Sequence, residues 1–313
     1  MKIAIFGGTG FVGSYIIDEL LKNDHEPLVL VREGSKSKLI NADKCKIISG
    51  DISEIESIEN TIKSADVVIY CIGIIREFPK KGATFEQLHF QAAKKCIDVA
   101  KALGVKRFIM MSANGVKVDG SGYQRTKYLA EEYLKFSNLD WTIFRPSLIF
   151  GDPRGGGRPE FCSQLKKDML SLPFPAPNFH PGLNPMNAGK FAMSPIHINN
   201  VAEFFVKSIE LKESIKKIYS LGGQAYYWKD IITTIAKSYG KKKWTVPAPA
   251  IGVQILATFL GRFSWFPITK DQITMLLEGN VCDSKEFYDL FQIEQIPFNT
   301  ETLSYLNLSL IHI

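Results

Sequence analysis

Residues 7–13 read GGTGFVG, set between the short apolar run Ile3–Phe6 and a segment in which Val12, Ile16, Ile17, Leu20 and Leu21 recur at helical spacing. A buried strand therefore runs into a glycine-rich loop and out into an amphipathic helix. Read from Gly8 the pattern is G-x-G-x-x-G; read from Gly7 it is G-x-x-G-x-x-G through Gly7, Gly10 and Gly13. Glycine serves three ends in such a loop: a tight turn, close approach of the backbone to a pyrophosphate, and close packing of helix on strand. The amino end of the helix then faces the phosphates. A bare glycine pattern is common, but one placed between strand and helix predicts a dinucleotide site.

The next apolar run, Pro27–Val31, ends in Arg32, nineteen positions after Gly13. An Asp or Glu there would accept from the ribose 2′-hydroxyl of NAD, whereas an Arg accommodates the 2′-phosphate of NADP. Arg32, followed by Ser35, Lys36 and Lys38, predicts NADP (NADPH), because a guanidinium pairs with phosphate through two parallel hydrogen bonds. Glu33 is an alternative ribose acceptor and keeps NAD open.

Apolar runs and helical segments then alternate. Strands are predicted at 46–49, 67–72, 107–111 and 141–144, with helices at about 54–64, 86–103 and 124–137. Strict alternation predicts an α/β fold: a Rossmann-type doubly wound parallel sheet over residues 1–150, followed by a smaller C-terminal α/β domain over 151–313 with one or more segments returning to the sheet. Ligands of such sheets bind beyond the carboxyl ends of the strands, where Asp51, Gly73, Ser112 and Pro146 fall. Tyr123 and Lys127, in GYQRTKYLAEE, lie four apart on one helical face. A nearby ammonium favours a phenolate, so the pair suits proton transfer near neutrality. Tyr239 and Lys243 match the same spacing in a region with no other site signal and read as chance.

Composition narrows the classes. The 313 residues are 45% hydrophobic and 22% charged, enough to bury a large core. The formal charge of +6 is scattered along the whole length, which argues against a nucleic-acid partner. Cys45, Cys71, Cys96, Cys162 and Cys282 are far apart, and neither they nor the five histidines show metal-ligand spacing. The expectation is a reducing compartment without disulfides or a metal site. The first apolar run breaks at Gly7, too short for a signal peptide, which predicts a cytoplasmic protein.

From about Gly151 the chain turns Pro- and Gly-rich, in PRGGGRPEF and LPFPAPNFHPGLNPMNAGKF, as expected of lid or substrate loops that cannot name the substrate. His197, amid apolar neighbours, reads as a core residue rather than a proton shuttle. WTVPAPAIGVQILATFLGRFSWFP, after Lys241, Lys242 and Lys243, is broken by prolines and Arg262 and makes a poor membrane span. It reads as a core helix of the small domain, with a membrane-surface or protein-partner contact as the alternative; in that case the protein is peripheral to the inner membrane.

Together FGGTGFVG, Gly50-Asp51, Ser112, Tyr123-x-x-x-Lys127 and RPSLIFG resemble the extended and atypical short-chain dehydrogenase/reductases, the NAD-dependent epimerase/dehydratase-like group. SPIHINNVAEFF, PITKDQITMLLEGNV and TETLSYL resemble the branch containing the nucleotide-binding accessory subunit of respiratory complex I and its bacterial relatives. The resemblance implies that Gly7, Thr9, Gly10, Phe11, Val12 and Gly13 hold the pyrophosphate, Arg32 the adenosine ribose phosphate, and Asp51 with Ile52 the adenine. It also implies that Cys71, Ile72 and Gly73 line the cofactor, Lys127 binds the nicotinamide ribose and Pro146 lies near the carboxamide. Ser112 and Tyr123 would be the substrate-polarising and proton-transfer groups. Two positions depart from the pattern: the Ser112–Tyr123 interval is short, and His89 stands where those enzymes place an Asn. Two functions follow. One is an NADP-dependent oxidoreductase using Tyr123 and Lys127; the other is a non-catalytic, NADPH-carrying structural or assembly subunit associated with complex I or quinone metabolism.

Overall fold

The computed structural model describes residues 1–155, 157–180, 182, 184–260 and 269–308. The chain divides into two units, one of residues 1–146, 198–221 and 284–294, the other of the remainder. Elements are numbered along the whole chain.

The first unit opens β1 (Lys2–Phe6), α1 (Phe11–Lys22), β2 (Glu26–Val31), β3 (Lys46–Ser49), α2 (Ile55–Ile62), β4 (Val67–Tyr70), α3 (Ala92–Ala102), β5 (Arg107–Met111), α4 (Gly122–Lys135) and β6 (Asp140–Pro146). It is completed by α6 (Ile198–Lys207), β11 (Lys217–Leu221) and α10 (Lys285–Phe291). Seven strands form one parallel sheet in the order β11-β6-β5-β4-β1-β2-β3. The expected doubly wound sheet is thus borne out. β1 and β4 are apolar on both faces and almost wholly buried, as strands covered by helices on both sides must be. On one face Ile58, Ile62, Ala93, Ile97 and Leu134 from α2, α3 and α4 close over Phe6, Val68 and Phe108. Phe144 of β6 meets Phe205, Tyr219 and Phe291 at ring separations of 4.8, 5.7 and 6.1 Å, which ties α6, β11 and α10 to the sheet.

Two sequence expectations are corrected. The strand expected at 67–72 ends at Tyr70, beyond which the ladder to β1 is carried one step further by the Cys71 N–H, which donates to the Phe6 carbonyl at 2.9 Å. The helix expected over 86–103 is α-helical only as α3; Glu86–Gln91 forms a wider π turn.

In the second unit β7 (Ile149–Phe150) pairs with β10 (Ile196–His197), β8 (Ala176–His180) runs parallel to β13 (Thr245–Pro249), and β9 (Ala192–Met193) is antiparallel to β12 (Tyr226–Tyr227). The helices are α5 (Phe161–Leu165), α7 (Trp228–Ser238), α8 (Ala250–Leu260), α9 (Lys270–Glu278) and α11 (Tyr305–Leu308). The core gathers round Trp228, whose ring meets Phe191, Phe179 and Phe161 at 5.5–6.4 Å and whose indole N–H donates to Pro177 O at 3.0 Å. His197 packs edge-on to Phe150 at 5.1 Å, and burial lowers its pKa to about 4. The expected core helix at 244–267 is corrected: in α8, Ala250 and Ala257 are buried, but Ile251, Ile255 and Phe259 are 57%, 53% and 67% exposed. Arg262 and the rest of 261–268 lie outside the described residues. Among those described, no helix is long and apolar enough to cross a membrane.

Candidate functional site

The expected site residues all fall in the first unit, at the carboxyl ends of β1 to β6 or on α1 and α4. Gly7, with φ of +106°, lies where only glycine is unstrained, and a Cβ there would stand 3.0 Å from both the Cys71 carbonyl carbon and the Ile72 nitrogen. The glycine loop therefore rests against the end of β4. Gly10 N–H donates to Gly7 O at 3.0 Å, and a Cβ on Gly13 would sit 2.2 Å from that same oxygen. Helix α1 begins at Phe11 with Gly10 as its cap, and no side chain caps it. Its first-turn amides and dipole are thus presented to an anion. Half-buried Thr9 completes the loop. This cradle of backbone, which a Cβ would fill, fits a dinucleotide pyrophosphate.

Toward β2 and β3, exposed Arg32 follows Val31, and Gly50 N–H donates to Val31 O at 3.2 Å, which joins the two strand ends. Partial burial works to raise the Asp51 pKa, but the Ser53 N–H and hydroxyl, at 2.8 and 2.7 Å, with the charges of Arg32 and Lys95, hold it below the usual range. Ile52 points into the core. Arg32, Asp51 and Ile52 thus come together. Cys71 is buried with its thiol on Phe6 O, and burial pushes its pKa to about 12, so it is unreactive lining.

At the other end, a Cβ on Gly73 would come 3.6 Å from Lys127 Nζ, and Lys127 donates to Met111 O at 3.1 Å. Burial lowers the Lys127 pKa to about 8, against the charges of Glu131 and Cys71. Ser112 follows Met111, its N–H bonded to Phe144 O at 2.7 Å; Asn114 N–H, bonded to Pro146 O at 3.0 Å, brings Pro146 alongside. The buried Ser112 hydroxyl has no hydrogen-bond partner among the described residues, and it lines a small pocket with Tyr70, His89, Met110, Lys127 and Ala130. The half-buried Tyr123 ring stands edge-on to Phe85 and His89 at 5.7 and 5.1 Å, with Lys127 Nζ 5.8 Å from its centroid. Burial pushes the phenol to about 12, so it carries its proton at neutral pH.

The sequence marked His89 only as a departure from the family pattern; its partners are the part that sequence reasoning did not foresee. The Ile74 N–H can only donate, so His89 Nε2 accepts it, at 3.1 Å; the ring proton is then on Nδ1, 3.2 Å from Thr126 Oγ1, which itself donates to Gly122 O. Phe85 stacks on the imidazole at 5.2 Å. Arg145 grips Glu131 through Nε and a terminal nitrogen at 2.9 and 2.5 Å, which fixes the carboxylate one turn beyond Lys127 on α4. The Tyr123–Lys127 spacing was read from the sequence; the bonds of Glu131 and His89 were not.

Burial lowers the His89 pKa from 6.5 to about 2. The unfolded chain therefore binds a proton that the folded chain refuses throughout that window, and stability falls as pH drops below about 6.5, by up to about 1.4 kcal/mol per pH unit from this group. Urea unfolding at pH 7 and pH 5 should show a smaller difference for His89→Asn than for the unaltered chain. An equal difference would mean that the acid sensitivity arises elsewhere.

Comparison with known proteins agrees with the fold. The NADH-ubiquinone oxidoreductase 40 kDa subunit of Neurospora crassa mitochondria is 24% identical, over 96% of this chain and 78% of that protein. Photosystem II assembly factor Ycf39 of Cyanophora paradoxa is 25% identical, over 94% of this chain and 88% of its own. UDP-glucuronic acid 4-epimerase from Bacillus cereus, solved with UDP-glucuronic acid and NAD, shares the fold over the full length of both chains with a TM-score of 0.72 at 19% identity. These relatives bear out the resemblance to the extended short-chain dehydrogenase/reductases and their complex I accessory branch. Residues 7–167 match the family described as NAD(P)H-binding, and the chain belongs to that family.

Proposed function

We propose that this protein is an NADPH-binding accessory or assembly factor whose nucleotide consolidates the first unit. The observation that carries the reading is how Lys127 is engaged: its ammonium is hydrogen-bonded to Met111 O at 3.1 Å and lies 5.8 Å from the Tyr123 ring centroid, while Phe85 and His89 stand edge-on to that ring. The curated relatives support it, being by name a subunit of a larger complex and an assembly factor. In this reading Gly7, Thr9, Gly10, Phe11, Val12 and Gly13 hold the pyrophosphate, Arg32 the 2′-phosphate, Asp51 and Ile52 the adenine, Cys71, Ile72, Gly73 and Pro146 the nicotinamide side, and Lys127 the ribose.

A ligand that binds only the folded chain stabilises it by mass action, so NADPH should raise the melting temperature. Tyr123→Phe should leave both affinity and that shift unchanged, and Lys127→Ala should weaken both. Arg32→Ala should cost about 1.5–3 kcal/mol of NADPH affinity, the worth of a charge-assisted contact, and leave NADH binding as it was in calorimetry. Equal losses for the two nucleotides would remove the NADP assignment.

The unpartnered Ser112 hydroxyl beside Lys127 favours a second reading, an NADP-dependent oxidoreductase or epimerase/dehydratase-like enzyme. A bound nicotinamide would there supply or accept hydride. Ser112 would polarise a carbonyl oxygen and Tyr123 would pass it a proton, with Lys127 stabilising the phenolate. Substrate turnover, read as NADPH consumption for an oxidoreductase or as product formed without net consumption for an epimerase or dehydratase, that falls about 10²–10⁴-fold in Tyr123→Phe would replace the first reading with this one.

A further inference from the structure

Between Asp230 and Asp271 the sequence holds no Asp or Glu, yet Lys237, Lys241, Lys242, Lys243 and Lys270 all lie there. The described part of this stretch is also where the second unit leaves apolar side chains uncovered. Trp244 is 80% exposed and Phe174 is 70% exposed. The two lie close together, since Ala176 N–H donates to Trp244 O at 2.7 Å and Lys243 Nζ reaches Leu172 O at 2.5 Å. At the far end of β13 begins α8, on which Ile251, Ile255 and Phe259 follow one another at four-residue intervals along a solvent-facing stripe. A water-facing helix face is normally polar.

We propose that this surface seats the second unit on an anionic lipid bilayer. Charge chooses the occupant. A protein interface generally interleaves both signs at its rim, whereas this stretch offers one sign only, in lysines whose long apolar stems bury while the ammonium stays in water. Tryptophan and phenylalanine at headgroup depth, an apolar helical stripe and a lysine cluster are the three contributions that hold a peripheral protein on an anionic surface. The surface lies outside the nucleotide cradle, so the inference stands whether or not the reading of the cradle does.

The test is flotation of the full chain with phosphatidylcholine–phosphatidylglycerol vesicles and with pure phosphatidylcholine vesicles. Binding to the mixed vesicles only, weakening as salt is raised, is expected. Joint reversal of Lys241, Lys242 and Lys243 to Glu should lower that binding at least about 100-fold, the factor given by three lysines at the usual attraction to such a surface. Brominated phosphatidylcholine in the vesicles should quench tryptophan fluorescence less in Trp244→Phe than in the unaltered chain. Lys241, Lys242 and Trp244 are exposed, whereas half-buried Lys243 also bonds Leu172 O, so Lys241→Glu with Lys242→Glu serves as a second variant, and circular dichroism and thermal melting should confirm that all the variants remain folded. No flotation, equal flotation with neutral vesicles, or undiminished binding of the triple variant would overturn the proposal. So would cross-linking that maps Trp244 and α8 to a protein neighbour in the absence of vesicle binding. NADPH affinity, measured on the same samples, reports separately on the cradle.

Discussion

A Gly13→Ala chain is expected to lose binding of both NADH and NADPH, and about 1–3 kcal/mol or more of stability with it. The added methyl would stand 2.2 Å from Gly7 O and 2.8 Å from the Gly7 carbonyl carbon and the Gly8 Cα, all of them backbone atoms that cannot swing aside as a flexible side chain would. Relief requires β1 and α1 to separate or Gly7 to turn, and Gly7 O also receives the Gly10 N–H that closes the loop. Either movement withdraws the amides that would meet the phosphates. Calorimetry with each nucleotide and urea unfolding of the apo chain measure the two losses. A variant that folds normally and binds either nucleotide at full strength would show that helix and strand are not locked here.

Arg145→Ala should cost about 3–5 kcal/mol. Glu131 is wholly buried and receives two hydrogen bonds from the Arg145 guanidinium, so truncation strands a carboxylate away from water. Lys127, whose ammonium already feels the Glu131 charge, would be drawn to that carboxylate, so nucleotide affinity should fall together with stability. Replacing the pair jointly, Arg145→Met with Glu131→Leu, should recover most of the stability because no charge is left without a partner. Chemical unfolding of the single and double variants separates these outcomes; a double variant as weak as Arg145→Ala would mean that the arginine acts through packing alone.

How much of this was legible in the sequence depends on how local each cause is. β2 and β5 were readable to within a residue or two, because strands buried on both faces are short continuous apolar runs ended by turn residues, and the edge strand β3 by its Ile47-Ile48 pair just before Gly50. The glycine cradle was readable because its geometry is made by the backbone of thirteen successive residues. The π turn at Glu86–Gln91 was not: EQLHFQ holds no Gly or Pro to announce it, and His89 sits in it facing Ile74 and Thr126, fifteen and thirty-seven positions away. A return of some segment beyond residue 150 to the sheet was expected, but nothing marked β11 as that segment or β6 as its partner, since Lys217 stands opposite Thr142 across a long excursion of chain. The apolar run of α8 reads as core by composition, and only the placement of its neighbours decides which of its faces they cover.

The seven-stranded sheet has a consequence for how the chain is made. β1 to β6 can pair as soon as Pro146 has left the ribosome, but the outer edge of β6 stays open until Lys217–Leu221 emerge. At a synthesis rate of ~5–20 residues per second, the seventy-five residues from Pro146 to Leu221 leave that edge bare for roughly 4–15 s. Its Trp141–Phe144 core is apolar and rich in β-formers, the kind of exposed strand edge that recruits other nascent chains. Slowing synthesis between Pro146 and Leu221 should therefore lower the yield of folded chain, and anything that shields the β6 edge meanwhile should raise it.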